Sequence, residues 1–316
     1  MRKILLALCL MATPAAARPL AFVINSVDAT LSVIDMDTHT EVKRVPMLRE
    51  PHHMALTPDG ASLMIGDTTG NALIFVDPAN GDIQKRMTVS DPYQLQYSPD
   101  SKWITFAGLA RNQIDIYDAN TMQLAHRIPA SSMPSHMNYA PDSSVVYVSL
   151  QGTDSLMAID VRKGAVLWTA KIGSTPAGVL WLDGRVLVGI MGADYVAVID
   201  PATGAVERKI HTAKGAHNLF ISPDQKTLYV CNRVDGSISV LDPKTLAMRK
   251  TIKMSGGPDD MDFAPDGTIW VTRRWAHTVA LLNPETGTYT TIETGRSPHG
   301  IWLNTHPNAP IKVSAK

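Results

Sequence analysis

The stretch Gly215-Ala216-His217-Asn218-Leu219-Phe220-Ile221-Ser222-Pro223-Asp224 is followed by Leu228-Tyr229-Val230-Cys231-Asn232, then Ile238-Ser239-Val240-Leu241-Asp242-Pro243, then Met248-Arg249-Lys250-Thr251-Ile252. These are four short β-branched or aromatic runs, each bounded by Asp, Pro, Gly or Asn, which is the pattern of four antiparallel strands joined by tight turns. A single sheet of this kind cannot bury both faces, so the unit requires neighbours like itself.

The chain supplies them. Aligned on the residue that opens the first strand, copies begin at Pro51, Pro92, Pro134, Pro176, Gly215, Pro258 and Pro298, with steps of 41, 42, 42, 39, 43 and 40 residues. A period near forty with four strands per copy is the spacing of propeller blades. The copy at Pro298 has only its first strand, Pro298-His299-Gly300-Ile301-Trp302-Leu303, and the N-terminal runs at Leu20, Leu31 and Val42 provide three strands lacking a first one. The two ends therefore complete one blade between them and leave no open sheet edge. The expected fold is an all-β, seven-bladed propeller over residues 18–304, one domain despite its length.

Met1 to Ala17 reads as a secretory leader: Arg2 and Lys3 precede an apolar run from Ile4 to Ala12, and Ala15-Ala16-Ala17 offers a small-residue cleavage site. An exported protein, periplasmic or secreted, is expected, with cleavage near Ala17 and a loose tail over 305–316. No stretch reaches the roughly 18 apolar residues of a spanning helix. Losing Arg2 and Lys3 with the leader leaves 27 basic against 29 acidic residues. That balance argues against nucleic acid as a partner. Cys231 is then a lone thiol on a strand, which reads as a small buried apolar residue.

The turns expected on the lower face are stereotyped, for example Pro58-Asp59-Gly60, Pro223-Asp224 and Asp242-Pro243, and read as architecture. The upper rim is where the copies diverge. Blade openings and the loops between second and third strands bring six of the ten histidines to that rim: His52, His53, His136, His217, His277 and His299. Imidazole is the commonest protein metal ligand. His53, His136 and His217 hold the same position in alternate blades, roughly 100° apart in a seven-unit ring. They form a candidate three-histidine metal site for copper or zinc, with Asp260 of the same column as a fourth ligand or supporting group. The bland alternative is a polar channel lining without a metal. Met54, Met137 and Met261 follow column positions and are read as packing, since neighbours along a strand face opposite sides. Arg273, Arg274 and Trp275, with His299 nearby, suit a carboxylated planar ligand such as a tetrapyrrole or quinone. Alternatively, Trp275 anchors a protein partner while Arg273 pairs with Asp259.

The repeats resemble the YVTN family of seven-bladed β-propellers. Leu228-Tyr229-Val230-Cys231-Asn232, Val146-Tyr147-Val148-Ser149 and Ile269-Trp270-Val271-Thr272 stand at the place of its naming motif, and Ser222-Pro223-Asp224 and Val198-Ile199-Asp200-Pro201 follow at the family spacing. The resemblance covers Leu20 to Asn304. It implies the fold, and it implies several functions: exported propellers of unknown role, dehydrogenase subunits and, more distantly, the haem-d1 propeller of nitrite reductase, which has eight blades. The expectation is a monomeric exported binding or accessory protein using its upper mouth for a metal, a metal-tetrapyrrole, a small ligand or a periplasmic redox partner. The alternative is an enzyme similar to the streptogramin lyases or lactonases, with His217, His299 and Asp260 as base and metal ligands. No Gly-x-Ser-x-Gly nucleophile motif supports the latter.

Overall fold

A computed structural model describes residues 18–305; the leader reading and nearly all of the tail fall outside them. Seven four-stranded antiparallel sheets make up the chain, and their first strands line the axis. Numbering blades from the first complete copy, the innermost strands are Pro51–Leu56, Gln94–Tyr97, Pro134–Tyr139, Pro176–Leu182, Ala216–Ile221, Pro258–Phe263 and, in blade 7, Pro298–Asn304. Two begin slightly later than the repeat suggested. In blade 2 pairing starts at Gln94, opposite Ala107, and in blade 5 at Ala216, opposite Asn232, which makes Ala216 rather than Gly215 the counterpart of Pro51.

Blade 7 is the composite one. Pro298–Asn304 pairs antiparallel with Leu20–Asn25, which continues to Thr30–Asp35 and Thr40–Pro46. Ser26 N–H donates to the Ser297 carbonyl, and the Gly295 N–H donates to Asn25 Oδ1 at 3.1 Å. Arg296 pairs with Asp28 across the same junction. The ring is thus closed by backbone and side chain together.

The second and third strands of each blade are buried almost throughout, whereas the outermost strands alternate between solvent and core, as in Thr40–Pro46. That difference follows from position: inner strands are covered by blades on both sides, outer ones on one face only. The apolar clusters accordingly span neighbouring blades, with Phe22, Ile24 and Val33 of blade 7 packed among Leu63, Ile65 and Ile74 of blade 1. Met137 and Met261 belong to such clusters and Met54 packs against one, which agrees with their reading as packing. Cys231 is buried within another. The Asp and Asn residues of the stereotyped turns bond their own backbone two and three residues on, as Asp242 does with Lys244 and Thr245. Among the described residues no helix is long and apolar enough to cross a membrane.

The innermost strands carry one irregularity that sets up the site. In blades 1, 3, 4, 5 and 6 the pairing register shifts just after the opening residue, for example between Pro51 and Met54 and between Pro258 and Met261; blade 7 has the same shift opposite Val23 and Asn25. The two residues after each opening position therefore lie in a β-bulge, where the ladder is interrupted and side chains are re-aimed.

Candidate metal centre at the top of the channel

The bulges overturn strict alternation. Residues at the first position after the opening (His52, Tyr93, His217, Asp259, His299) join those at the second (His53, His136) around the axis; His217 belongs to the first set because blade 5 opens at Ala216, opposite Asn232, and not at Gly215. All five of these histidines are at most 6% exposed. Ring centroids trace a closed quadrilateral, His53 to His136 at 5.3 Å, His136 to His217 at 5.1 Å, His217 to His299 at 6.5 Å and His299 to His53 at 4.6 Å. His52 sits over one corner, 4.2 Å from His299 and 4.2 Å from the Tyr93 ring.

Asp259 is the fully buried carboxylate of this cluster, and a second, Glu50, stands half-exposed at its edge with Oε1 4.0 Å from His52 Nε2. Arg233 donates to Oδ1, and Arg274 reaches Oδ2 at 3.3 Å. Arg233 and Arg274 occupy the same repeat position, the residue after the second strand, in adjacent blades. His217 Nδ1 lies 3.1 Å from Asp259 Oδ1, and Arg233 Nη2 donates to His217 Nε2 at 2.6 Å. Both nitrogens of His217 are therefore engaged. His299 Nε2 stands 3.4 Å from Oδ2 but is misaligned for a hydrogen bond.

Burial raises the Asp259 carboxyl, but the charges of Arg233, His217 and Arg274 outweigh it and hold the group well below the usual carboxylate range. The imidazoles shift the other way. Burial, then the Arg274 charge, pushes His52 well below its ordinary value; burial, then Arg233, does the same to His217 and brings His136 down to about 3. His53 and His299 are lowered by burial and by their imidazole neighbours. At neutral pH the buried part of the site is thus one ionised carboxylate, Asp259, and five neutral rings, with the guanidinium groups of Arg233 and Arg274 beside them.

Neutral rings offer lone pairs, and here those lone pairs are unspent. His52 Nδ1, His53 Nε2, His136 Nε2 and both nitrogens of His299 are buried with no hydrogen-bond partner. Native interiors rarely leave such atoms orphaned, because each costs about 1–3 kcal/mol. His52, His53 and His299 each present a nitrogen within 4.8 Å of the others. An ion with N ligands at about 2.1 Å would require these rings to draw together by roughly 1 Å. The donor set, borderline-soft imidazole without a thiolate, fits zinc or copper better than magnesium or calcium.

Of the residues singled out in the sequence, His53, His136 and His217 do meet here, but they do not share one column: His217 stands at the His52 position, one residue before that of His53 and His136, because the blade 5 strand opens at Ala216. Asp260 lies elsewhere: its backbone N–H bonds Thr272, its Oδ1 accepts the Met261 N–H, and its side chain lines the channel below. Burial, then the Asp259 charge, raises its carboxyl well above the usual range. Arg274 and His299 share Asp259. Arg273, by contrast, turns outward to the Ser255 carbonyl, Thr278 and the Tyr289 ring, so the Arg273–Asp259 pair considered from sequence is made instead by Arg274 and Arg233. Trp275 lies on the rim over Gly257, 55% exposed. Tyr93, Arg233 and the placement of Asp259 were missed. The recurrence of Arg233 and Arg274 at one repeat position was the available signal for the arginines; nothing in a single strand announces a bulge.

A closed ring of seven four-stranded blades whose divergent residues converge on the axis defines a β-propeller with a polar axial site. Residues 4–310 match the model of the YNCE-like beta-propeller family, and the chain belongs to that family. It is 23% identical over 248 residues to YncE of Salmonella typhimurium, covering 70% of each chain. It is likewise 23% identical over 238 residues to Antigen Lp49 of Leptospira interrogans, covering 71% of this chain but 45% of that protein, so it spans less than half that relative's length. Among solved structures it resembles dihydro-heme d1 dehydrogenase NirN in complex with DHE, with a TM-score of 0.69, 15% identity, and 94% of this chain and 78% of that chain covered. A likeness at that identity speaks for the fold.

Proposed function

We propose that this chain is an exported, non-enzymatic binding propeller whose axial histidines hold one transition-metal ion, copper or zinc. The observation that carries the reading is the set of orphaned imidazole nitrogens on His52, His53, His136 and His299, all buried and converging at the axis. His52, His53 and His299 are the favoured ligands, with His136 as the fourth. His217 supports them: with Asp259 on one nitrogen and Arg233 on the other, it would have to break a bond to ligate. The set His53, His136, His217 and Asp260 is the competing one. When bound, such an ion would supply Lewis acidity or a redox centre; the protein's own part is to keep the rings neutral and dry. An intact tetrapyrrole fits less well, because its proposed contacts Arg273, Arg274, Trp275 and His299 do not present one common surface. Export rests on the leader signature of Met1 to Ala17.

The test is elemental analysis of protein purified from the periplasm, followed by competition titration with copper and zinc. One equivalent of ion is expected, lost in His53→Ala and His299→Ala and retained with weaker affinity in His217→Ala. No bound ion in the unaltered protein overturns the reading. Loss in His217→Ala and Asp260→Ala, with retention in His52→Ala and His299→Ala, would move the site to the competing set.

A further inference from the structure

Resting on that reading of the site, we propose that the ion reaches the histidines from the opposite face of the propeller, along the channel, with Asp262, Asp260 and Gln96 as the oxygens that receive it on the way. A cavity of about 580 Å³ runs the length of the blade 1 innermost strand, from His53 at its inner end to Pro58, Pro99 and Ser101 in the turns of the lower face. His53 is 6% exposed and lines this cavity, and its Nε2 has no hydrogen-bond partner. The shaft therefore ends at a buried histidine with an uncommitted ring nitrogen.

Charge separates the two ends. At the upper rim, the Arg233 and Arg274 side chains, 14% and 21% exposed, stand beside fully buried Asp259. A cation approaching there meets these two guanidinium groups together with Glu50, whose Oε1 lies 4.0 Å from His52 Nε2, so the positive pair outnumbers the one half-exposed carboxylate beside the histidines. The cavity lining contains no Lys or Arg; it contains Asp260 and Asp262, and apart from His53 its other polar side chains are carboxamides and hydroxyls. Two residues apart on one strand, the two carboxyls face the same side about 7 Å from each other along the shaft. Not every oxygen is free to receive an ion. Gln94 Oε1 takes the Met137 N–H, and Asn138 Oδ1 takes the Trp181 N–H, so these amides are committed to holding neighbouring blades. Gln96 Oε1 is buried without a partner, and each carboxyl keeps acceptor capacity beyond its backbone bonds. A hydrated cation can thus exchange water for oxygen ligands in steps and finish on nitrogen, its preferred donor.

Two mirrored variants test the route by adding positive charge at one mouth or the other: Ser101→Arg at the lower turn and Trp275→Arg on the upper rim. The readout is the stopped-flow rate of zinc uptake by metal-free protein, alongside the equilibrium metal content and thermal unfolding of each variant. Ser101→Arg is expected to slow uptake about tenfold, in line with electrostatic effects on association, and Trp275→Arg by less than about twofold. Equilibrium content should stay at one ion in both. Absence of slowing in Ser101→Arg, or slowing in Trp275→Arg as large or larger, overturns the route while leaving the histidine site standing. Failure of the unaltered protein to bind zinc or copper at all overturns the site and the route together.

Discussion

His217 Nδ1 and Asp259 Oδ1 lie 3.1 Å apart at the axis, although their strands begin in different blades 42 residues apart. The contact fixes the His217 tautomer: Nδ1 carries the proton, and Nε2 accepts from Arg233. Groups that orient ligands without binding the ion typically contribute 10–100-fold to affinity. His217→Ala should therefore weaken metal binding by about that factor, whereas His53→Ala should abolish it. Equal effects of the two substitutions in a competition titration would remove the distinction between ligand and support.

Asp259 neutralises Arg233 and Arg274 in a place where water does not reach it. Removing one partner of a buried charge network typically costs about 3–5 kcal/mol, because the remaining charges stay desolvated. Asp259→Ala should lower stability by about that amount in a denaturant titration, and Asp259→Asn by less. A loss under about 1 kcal/mol would mean that the guanidinium groups swing out to solvent at little cost.

Acid should weaken the metal-free protein. The five axial histidines have values below the ordinary 6.5, so the unfolded chain binds protons that the folded chain refuses. Stability is then fully present above about pH 6.5 and falls as the pH drops, by about 1.4 kcal/mol per pH unit for each histidine kept neutral. Asp260 and Asp262 oppose this: burial raises both, Asp262 to about 6, so the folded chain gains protons there before the unfolded one does. Burial raises Asp91 as well, and five imidazoles against three carboxyls leave a net loss between pH 6.5 and 5. A denaturation midpoint that is flat or rising toward pH 5 in chelated protein contradicts the neutral-ring picture.

Gly178 is the blade 4 counterpart of His53 and His136. A Cβ built there would stand 2.4 Å from Asn218 Oδ1 and 2.7 Å from the His217 carbonyl oxygen. Gly178→Ala should destabilise by about 1–3 kcal/mol and displace His217 through its own backbone. A variant with wild-type unfolding temperature and metal affinity would show that the blade 4 and blade 5 strands have slack that the packing does not suggest.

How much of this was legible follows from what repeats and what does not. The forty-residue period, the turn signals and the incomplete copies at Leu20 and Pro298 led to seven blades and to their composite closure, because each is a local pattern present many times. The same alignment brought His53 and His136 into one column correctly, but by opening blade 5 at Gly215 instead of Ala216 it put His217 there too, whereas His217 reaches the axis from the His52 position. Asp260 was favoured over Asp259 because a regular strand turns neighbours to opposite faces. The bulge between Pro258 and Met261 breaks that rule, and it arises from how the innermost strand meets its partner, which no single strand encodes. Arg273 was weighed with Arg274 for being adjacent in sequence, yet consecutive residues diverge, and the true companion of Arg274 lies one blade earlier, at Arg233.

The composite blade also sets an order of events. Among the described strands His299 belongs to the last in chain order, whereas the Leu20–Asn25 strand that pairs with it is the first. No truncated or half-threaded chain has the full set of axial rings, so an ion could be captured only after the whole length had been delivered. Once captured, it would clasp beginning to end, and stripping it out should lower the temperature at which blade 7 unzips.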